Sequence, residues 1–494
     1  MIKFNDLRDF IDFLEAKDDL VRITTPVSTI LEITQIHKRV IENGGPALLF
    51  ENVSNEFGKT QFAVLVNLFG TTARVSWGMG LEERREQLLE FGSKLAFLRQ
   101  PKPPQSVAAA WNMLPLIKDA LNMKPKIVKK ARCQELIFRN QDVNLDELPI
   151  QTCWPNEPAP LITWPLVVTK HHESSKYNVG IYRMQKLSKN KVIMRWLDHR
   201  GGADHFRSWK AAGEDKMPIA AIIGTDPATI IAAVTPVPEQ LSEYEFAGLL
   251  RKKKMELVDC ITVPLMVPSN AEIVIEGYVS TTETADEGPY GDHTGYYNSV
   301  EKFPVMEITA VTRRSDAIYL STYTGRPPDE PSVLGEALND VFIPLLKQQV
   351  PEIVDFYLPP EGCSYRIAVV SINKSYPGQG RKVMMAVWST LRQFMYTKFI
   401  IVVDHNIDIR SWAEVMWAVS TKMDFNRDIM TIDQTPIDYL DFASQIEGLG
   451  AKIGFDVTDK IGNETTREWG KPIEMDQNII DEVEEKFAHL FKTI

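Results

Sequence analysis

The stretch Glu272-Ile-Val-Ile-Glu-Gly-Tyr-Val279 is one of the runs that decide the fold of this chain. It is rich in β-branched and aromatic residues, a composition that is typical of a β-strand. Similar short runs, separated by Gly, Pro and Asn, recur between about residues 125 and 325: 166–168, 192–197, 220–223, 230–234, 305–311 and 318–322. Many short strands with such turn residues indicate a barrel or a sandwich.

Helix and strand patterns alternate on both sides of this strand-rich region, which is typical of α/β structure. Before it, the sequence predicts helices over 5–17, with Asn5 as N-cap, 31–43 and 81–98, and strands over 47–50 and 62–68. After the break at 325–331 it predicts helices over 333–350 and 382–396, and strands over 365–372 and 399–403. We therefore expect a multidomain α/β (α+β) protein with three domains: 1–120 (α/β), 121–325 (a barrel or a sandwich) and 326–494 (α/β).

The C-terminal segment 475–494 predicts an amphipathic helix. Its apolar side carries Ile479, Val483, Phe487, Leu490, Phe491 and Ile494. We expect this side to pack on its own domain, with contact to a neighbouring subunit as the alternative. The acidic polar face disfavours a membrane surface.

Composition excludes several classes of function. The 494 residues carry a net charge of −11, which disfavours nucleic acid as the main partner. The four cysteines are widely spaced, so neither a zinc site nor a disulfide framework is indicated. No apolar run approaches the roughly 20 residues of a membrane span, and the N-terminus does not resemble a signal peptide. We expect a cytoplasmic protein.

The segment 283–296 concentrates acids, glycine, proline and aromatic residues. Glycine and proline break regular structure, so Glu287 and Asp292 lie on a shaped loop. Burial beside Tyr290 and Tyr296 raises a carboxyl pKa, which makes a proton donor near neutral pH possible. The alternative is a solvated acidic turn.

Three further segments, 177–183, 194–202 and 236–245, combine polar and aromatic residues in the strand-rich region. Asn178 offers an amide oxygen and Glu243 a carboxylate, which together with an imidazole suit a divalent ion that bridges to a phosphate. Arg183 offers a forked cation for a carboxylate or a phosphate. No P-loop, no Gly-x-Gly-x-x-Gly and no Gly-x-Ser-x-Gly motif is present, which argues against nucleotide-binding and hydrolase classes.

Together these segments resemble the UbiD family of decarboxylases. The resemblance rests on Asn178-Val-Gly-Ile-Tyr-Arg183, Met194-Arg-Trp-Leu-Asp-His-Arg-Gly-Gly202, Thr235-Pro-Val-Pro238, Leu241-Ser-Glu-Tyr244 and Glu287-Gly-Pro-Tyr-Gly-Asp-His-Thr-Gly-Tyr-Tyr297. The segments 322–331, 356–366 and 436–444 extend it nearly end to end.

The resemblance implies that domain 121–325 is a split β-barrel that binds the cofactor prenylated FMN. It also implies that Mn²⁺ holds the cofactor through its phosphate, with K⁺ or Na⁺ nearby. Asn178 and Glu243 match metal-ligand positions, and His199 falls where some members supply an imidazole ligand. Eight residues match cofactor-contacting positions: Ile181, Tyr182, Arg183, Arg195, Trp196, Leu197, Arg200 and Gly201. Lys452 is a further cofactor candidate from the third domain.

The resemblance also implies an activity. The family members decarboxylate aromatic acids, and the subfamily's substrate is 3-polyprenyl-4-hydroxybenzoate, an intermediate of ubiquinone biosynthesis. Arg183, Glu287 and Asp292 match the network beside the cofactor, with Asp292 in the proton-donor position where other members carry Glu. Arg183 and Glu287 would tune the pKa and the position of Asp292.

The partners follow from the same resemblance. They are a flavin prenyltransferase that supplies the cofactor, further copies of the chain (a dimer or a hexamer) and, because the substrate tail is lipophilic, the inner membrane surface. Three alternatives remain at this point: a reversible decarboxylase of another aromatic acid, a flavin-binding oxidoreductase, and a non-enzymatic scaffold of the pathway.

Overall fold

The protein divides into three sets of elements, seen in a computed structural model. The structure describes residues 3–83, 85–99, 119–197, 200–235, 237, 241–390, 392–471, 473 and 475–491. The predicted metal ligand His199 and residues Pro236 and Pro238 of the third polar segment lie outside these ranges. In the described part of the chain, no helix combines the length and the apolar character needed to cross a membrane.

The first set is built around a small mixed sheet. Its helices are Leu7–Ala16, Glu32–Ile41, Thr72–Gly78 and Arg85–Arg99, and its strands are Leu20–Ile23, Val27–Ser28, Ala47–Phe50, Val53–Asn55, Gly58–Lys59 and Ala63–Val66. Asp6, rather than the predicted Asn5, caps the first helix, because its side chain accepts from Arg8 N and Asp9 N. Ile318–Leu320 joins this sheet beside Ala63–Val66, in parallel. The sequence had placed this strand in the strand-rich region instead, because the pairing of distant strands leaves no local pattern.

The second set carries a large, mainly antiparallel sheet. Its strands, in spatial order, are Tyr177–Ile181, Leu166–Lys170, Lys216–Ile223, Ile273–Glu287, Glu301–Arg313, Lys191–Met194, Met184–Lys186 and Leu161–Ile162, with Leu136–Arg139 added alongside Glu301–Arg313. A smaller sheet contains Met266–Pro268, Glu256–Asp259 and Lys126–Ile127. The helices are Gly201–Ala211, Pro227–Ala232 and Glu243–Arg251. The strand-rich centre predicted from the sequence is present.

One predicted strand of this region is wrong. Residues 230–234 fall largely in the helix Pro227–Ala232. Asp226 caps this helix by accepting from Thr229 N, and Pro227 occupies the first turn, where its missing N–H costs nothing. The apolar run is buried on every side, so its periodicity did not distinguish a strand from a helix.

The third set is an α/β layer. Its sheet order is Ile353–Tyr357, Ile367–Ile372, Phe399–Asp404, Leu449–Asp456 and Ile429–Pro436, with the inner pairs parallel and the outer pairs antiparallel. Its helices are Glu330–Gln349, Gln379–Thr390, Trp412–Lys422, Phe425–Asp428 and Gln477–Phe491. The partly parallel sheet agrees with the sequence prediction.

The C-terminal helix Gln477–Phe491 does not pack on its own domain. Ile479, Val483, Phe487 and Leu490 are each 39–53% exposed, so the apolar stripe faces outward. The expectation of internal packing is therefore wrong, because the amphipathic pattern is satisfied by any apolar surface and does not specify which one.

We predict that the third sheet is stabilised by complete burial of its central strand. Val402→Ala, at a residue that is 0% exposed, should lower the free energy of unfolding by about 2 kcal/mol through lost contacts and a cavity. Val354→Ala, on the outer strand of the same sheet and 39% exposed, is the matched control. Thermal unfolding followed by circular dichroism measures both; equal melting temperatures would contradict the assignment.

Candidate active site

Two arginines face each other across a hairpin of the large sheet. Met184 pairs with Met194, so Arg183 and Arg195 stand opposite one another at the open end of the hairpin, and Arg195 N donates to Arg183 O at 3.4 Å. Like charges placed directly opposite each other are destabilising. The hairpin therefore requires an acid between them.

Glu287 is that acid. Glu287 does not lie on a loop, as the sequence predicted, but is the last residue of the strand Ile273–Glu287, because its backbone still pairs with Glu301. Its carboxylate is completely buried. Arg183 Nε donates to Oε1 at 2.8 Å and Arg183 Nη2 donates to Oε2 at 3.2 Å. Arg195 Nη1 donates to Oε2 at 2.6 Å. One carboxylate thus bridges both guanidinium groups through charge-assisted hydrogen bonds.

Asp292 binds the remaining face of Arg183. Arg183 Nη1 donates to Asp292 Oδ2 at 3.1 Å, and His293 lies on the other oxygen, with its Nδ1 2.9 Å and its backbone N 2.8 Å from Oδ1. Asn298 Oδ1 accepts from Arg183 Nη2 at 2.9 Å and from Tyr290 N at 2.8 Å, which fixes the loop against the arginine. We call Arg183, Arg195, Glu287, Asp292 and His293 the arginine–acid network.

The pKa of Asp292 differs from the sequence expectation. Burial raises the pKa of Asp292, as expected, but the hydrogen bond from His293 and the charge of Arg183 outweigh burial, and the pKa lies well below its ordinary value. The carboxylate of Asp292 is therefore ionised at neutral pH in this state. Burial alone lowers the pKa of His293, but Asp292 reverses this and raises it above its ordinary value.

Residues of the third set of elements contact the network at Arg195 and at His293. Tyr439 OH accepts from Arg195 Nη2 at 2.7 Å, and burial raises the pKa of Tyr439 to about 12. Asp438 Oδ2 lies 3.7 Å from His293 Nε2 and accepts from Tyr365 OH at 3.2 Å. The network therefore lies at the junction between the second and third sets of elements.

The predicted metal ligands Asn178 and Glu243 come together next to this hairpin. Glu243 is the first residue of the helix Glu243–Arg251, which begins at a capping box formed by Ser242 and Glu245. Its Oε2 accepts from Val179 N at 2.9 Å, directly after Asn178 in the chain. Burial raises the pKa of Glu243 to about 7. This carboxylate makes no ion pair with a described residue, so a bound cation would relieve its burial.

A helix N-terminus lies against the same amide. Arg200 is the N-cap of the helix Gly201–Ala211. A Cβ on Gly201 would lie 2.2 Å from Asn178 Oδ1, so only glycine allows this approach. Tyr182 OH accepts from Gly202 N at 3.0 Å and from Asn178 Nδ2 at 3.3 Å, which ties the helix start to the hairpin.

The other predicted cofactor residues lie next to these two groups along the chain. Trp196 is 5% exposed, and its indole Nε1 has no partner among the described residues, which leaves a buried donor for a ligand. Ile181, at the end of its strand, and Leu197, in the loop after the strand Lys191–Met194, are both half-buried. Arg200 is exposed at the helix start.

Lys452 does not reach this site. Its Nζ donates to the carbonyl oxygens of Met395, Thr397 and Pro436, which satisfies all three donors. Burial lowers the pKa of Lys452 to about 8. His199 lies outside the described residues, and within the described ranges no three His, Cys, Asp or Glu side chains are grouped to hold a metal ion.

Sequence reasoning missed four contributors to the network: His293, Asn298, Asp438 and Tyr439. His293 stands next to Asp292 in the quoted loop and was the most accessible signal. Tyr439 and Asp438 lie in a segment that carried the family resemblance, but no local pattern connects them with an arginine 244 residues away.

Three sequence models of one protein family match most of the chain. They are described as the N-terminal, Rift-related and C-terminal domains of 3-octaprenyl-4-hydroxybenzoate carboxy-lyase, and they match residues 11–94, 126–327 and 332–457, respectively.

Solved structures are similar over almost the whole chain. The UbiD-class enzyme HmfF from Pelotomaculum thermopropionicum, in complex with FMN, is 29% identical with a TM-score of 0.77, covering 94% of this chain and 97% of that one. An evolved dimeric form of HmfF, in complex with prFMN, is 28% identical with a TM-score of 0.76, covering 93% and 96%.

A third similar structure is the closed form of vanillic acid decarboxylase from Sedimentibacter hydroxybenzoicus. It is 26% identical with a TM-score of 0.84, covering 99% of each chain. The family models and the structures agree on one assignment along the full length. The chain belongs to the UbiD family.

Proposed function

We propose that this protein is a decarboxylase that converts 3-polyprenyl-4-hydroxybenzoate to 2-polyprenylphenol and CO2 in ubiquinone biosynthesis, with prenylated FMN as cofactor. The observation that carries the proposal is the buried cluster in which Arg183 binds both Glu287 and Asp292. Family membership supports the reaction class, and the FMN and prFMN complexes of HmfF support the cofactor.

The residues beside the network fit such a cofactor. The N-terminus of the helix Gly201–Ala211 suits a phosphate, because the helix dipole and the N–H groups other than that of Gly202, which donates to Tyr182, favour an anion. Asn178 and Glu243 offer two oxygen ligands for Mn²⁺, and His199 is our third proposed ligand. Ile181, Tyr182, Trp196 and Leu197 offer contacts for the ring system. We also propose K⁺ or Na⁺ close to the metal.

An aromatic carboxylate loses CO2 with difficulty because the ring carbon must accept an electron pair. A bound prenylated flavin supplies the electron sink for this step. The protein must then deliver one proton to the ring carbon. We assign this proton transfer to Asp292. Glu287 holds Arg183 in place, and Arg183 in turn orients the carboxyl group of Asp292.

Because the pKa of Asp292 is low, Asp292 carries no proton before the substrate binds and must gain one afterwards. A substrate carboxylate that approaches Arg183 competes with Asp292 for the cation, which raises the pKa of Asp292. His293, 2.9 Å from Asp292 and with a raised pKa, is the donor that reloads it. Asp438 Oδ2 lies 3.7 Å from Nε2 of His293, and its negative charge stabilises the protonated form of the His293 ring.

A second candidate function is decarboxylation of an unprenylated aromatic acid. The similarity to vanillic acid decarboxylase, at 26% identity and over the whole chain, favours it. The two substrates share the carboxylate and the phenol, so the same network serves both. CO2 release from the protein co-expressed with a flavin prenyltransferase, measured with each acid, separates the two candidates.

Further parts of the proposal concern organisation and partners. We propose three domains, 1–120, 121–325 and 326–494, and self-association through the third domain. We also propose that a flavin prenyltransferase supplies the cofactor. The protein would lie in the cytoplasm and contact the surface of the inner membrane. The outward apolar stripe of Gln477–Phe491 supports self-association. The lipophilic tail of the substrate is the reason for membrane contact.

We predict that Asp292→Asn abolishes turnover while the cofactor stays bound. General acid catalysis contributes about 10²–10⁴-fold, so CO2 release should fall by at least the lower figure. Loss of the Asp292 charge should also lower the pKa of His293, which NMR titration of the histidine ring measures, because Asp292 is the main group that raises it against burial. Asp286→Asn is the control, since Asp286 is exposed and pairs with Lys302. Turnover by the Asp292 variant would refute the role.

We predict that Asn178→Ala and Glu243→Gln lose Mn²⁺ and cofactor together. Since the pKa of Glu243 is about 7, protons compete with the metal, and Mn²⁺ affinity should rise as pH increases from 6 to 8. Metal analysis and mass spectrometry of the purified protein measure both losses. Glu256→Gln is the control, because the side chain of Glu256 is 44% exposed and pairs with Lys126.

The stability of the metal-free variant distinguishes a lost ligand from a lost fold. A carboxyl whose folded pKa is raised favours folding at low pH, and that contribution disappears as pH rises from its ordinary value through about 7. Glu243→Gln removes the buried charge, so its melting temperature at pH 8 should equal or exceed that of the metal-free native protein. Retention of metal and cofactor by both variants would exclude the assignment.

A further inference from the structure

Two aromatic side chains are exposed directly outside the arginine–acid network. Tyr296 is 65% exposed and Phe442 is 55% exposed. Their ring centroids are 5.9 Å apart with an interplanar angle of 74°, so they form one edge-to-face pair across the junction of the second and third domains. Ile446, four residues after Phe442, is 61% exposed. We call Tyr296, Phe442 and Ile446 the apolar rim.

The rim belongs to the same two loops as the network. Asp292 N donates to Tyr296 O at 3.0 Å, so the backbone that positions the proposed acid also positions the ring. On the other loop, Tyr439 accepts from Arg195 and lies three residues before Phe442. The apolar rim is therefore continuous with the site, at its outer edge.

The chemistry of the rim differs sharply from that of the network. The network consists of buried ion pairs, and a hydrocarbon chain makes no favourable contact with such charged groups. The rim presents apolar side chains to water, which is unfavourable in proportion to the area exposed and becomes favourable when that area is covered. A ligand with a charged end and an apolar end would satisfy both.

We infer that the apolar rim binds the first isoprene units of the substrate's polyprenyl tail. This inference rests on the proposed function. It assigns the enzyme's preference for a prenylated acid to Tyr296, Phe442 and Ile446. The tail is attached two ring carbons from the carbon that loses CO2, so a ring held at the network directs its tail outward. The rim lies where the two loops of the network meet solvent.

The test compares substrates that differ only in the tail. Native enzyme loaded with cofactor, Phe442→Ser and Tyr296→Ser are assayed for CO2 release from 4-hydroxybenzoates that carry 3-methyl, 3-geranyl or 3-farnesyl groups. In each variant, the ratio of kcat/KM for 3-farnesyl to that for 3-methyl should fall about tenfold, through KM, because apolar contacts of this size give about 10-fold discrimination or more.

Binding provides a readout that does not depend on turnover. The affinity for 2-geranylphenol, measured by calorimetry, should fall about tenfold in both variants, and the affinity for 2-methylphenol should not follow it. Phe425→Ser is the matched control, because Phe425 is a phenylalanine of the third domain that lies outside the rim and, at 65%, is exposed at least as much as Phe442. Thermal melting checks that all variants fold.

Each outcome has one meaning. If the native enzyme releases CO2 from no prenylated acid, the proposed function fails. If it does so, and the rim variants match Phe425→Ser in both the kinetic ratio and the affinity, the inference is overturned while the function stands. If the rim variants instead change the mass measured by light scattering, a second copy of the chain covers the rim, which also overturns the inference.

Discussion

The buried carboxylate of Glu287 is the interaction on which the candidate site depends. It lies between Arg183 and Arg195, which the hairpin register places opposite each other. A pair of buried guanidinium groups without this acid would carry an uncompensated desolvation cost. With it, each arginine retains a free face, and Arg183 uses that face for Asp292 while Arg195 uses it for Tyr439. One side chain thereby links a long strand, a hairpin and the third domain.

The sequence predicted which residues meet in the site better than it predicted their electrostatics. Arg183, Glu287 and Asp292 were chosen from family motifs, and the structure brings them within hydrogen-bond distance. The pKa of Asp292 moves in the opposite direction to the one expected, because Arg183, 109 residues away, and His293 outweigh burial. Burial is visible in local composition, whereas the partners of a buried group depend on the tertiary fold.

The fold, like the site, was predicted well where local sequence decides the structure and poorly where distant contacts decide it. Strands with clear turn residues on either side, such as Ala47–Phe50, and the long apolar strand Phe399–Asp404 were predicted within a residue or so. The helix Pro227–Ala232 was taken for a strand, since an apolar run buried on all sides carries no period. The placement of Ile318–Leu320 in the first sheet could not be predicted, because strand pairing over 250 residues leaves no local trace.

That last strand has a consequence for the order of synthesis. The first sheet ends on Ile318–Leu320, paired in parallel with Ala63–Val66, so the amino-terminal unit is incomplete until about two thirds of the chain has left the ribosome. Domains usually fold one after another as they emerge. Here the middle unit is an insertion between two parts of the first sheet. The nascent first sheet therefore keeps an open edge until the segment that carries Glu287 and Asp292 has been made.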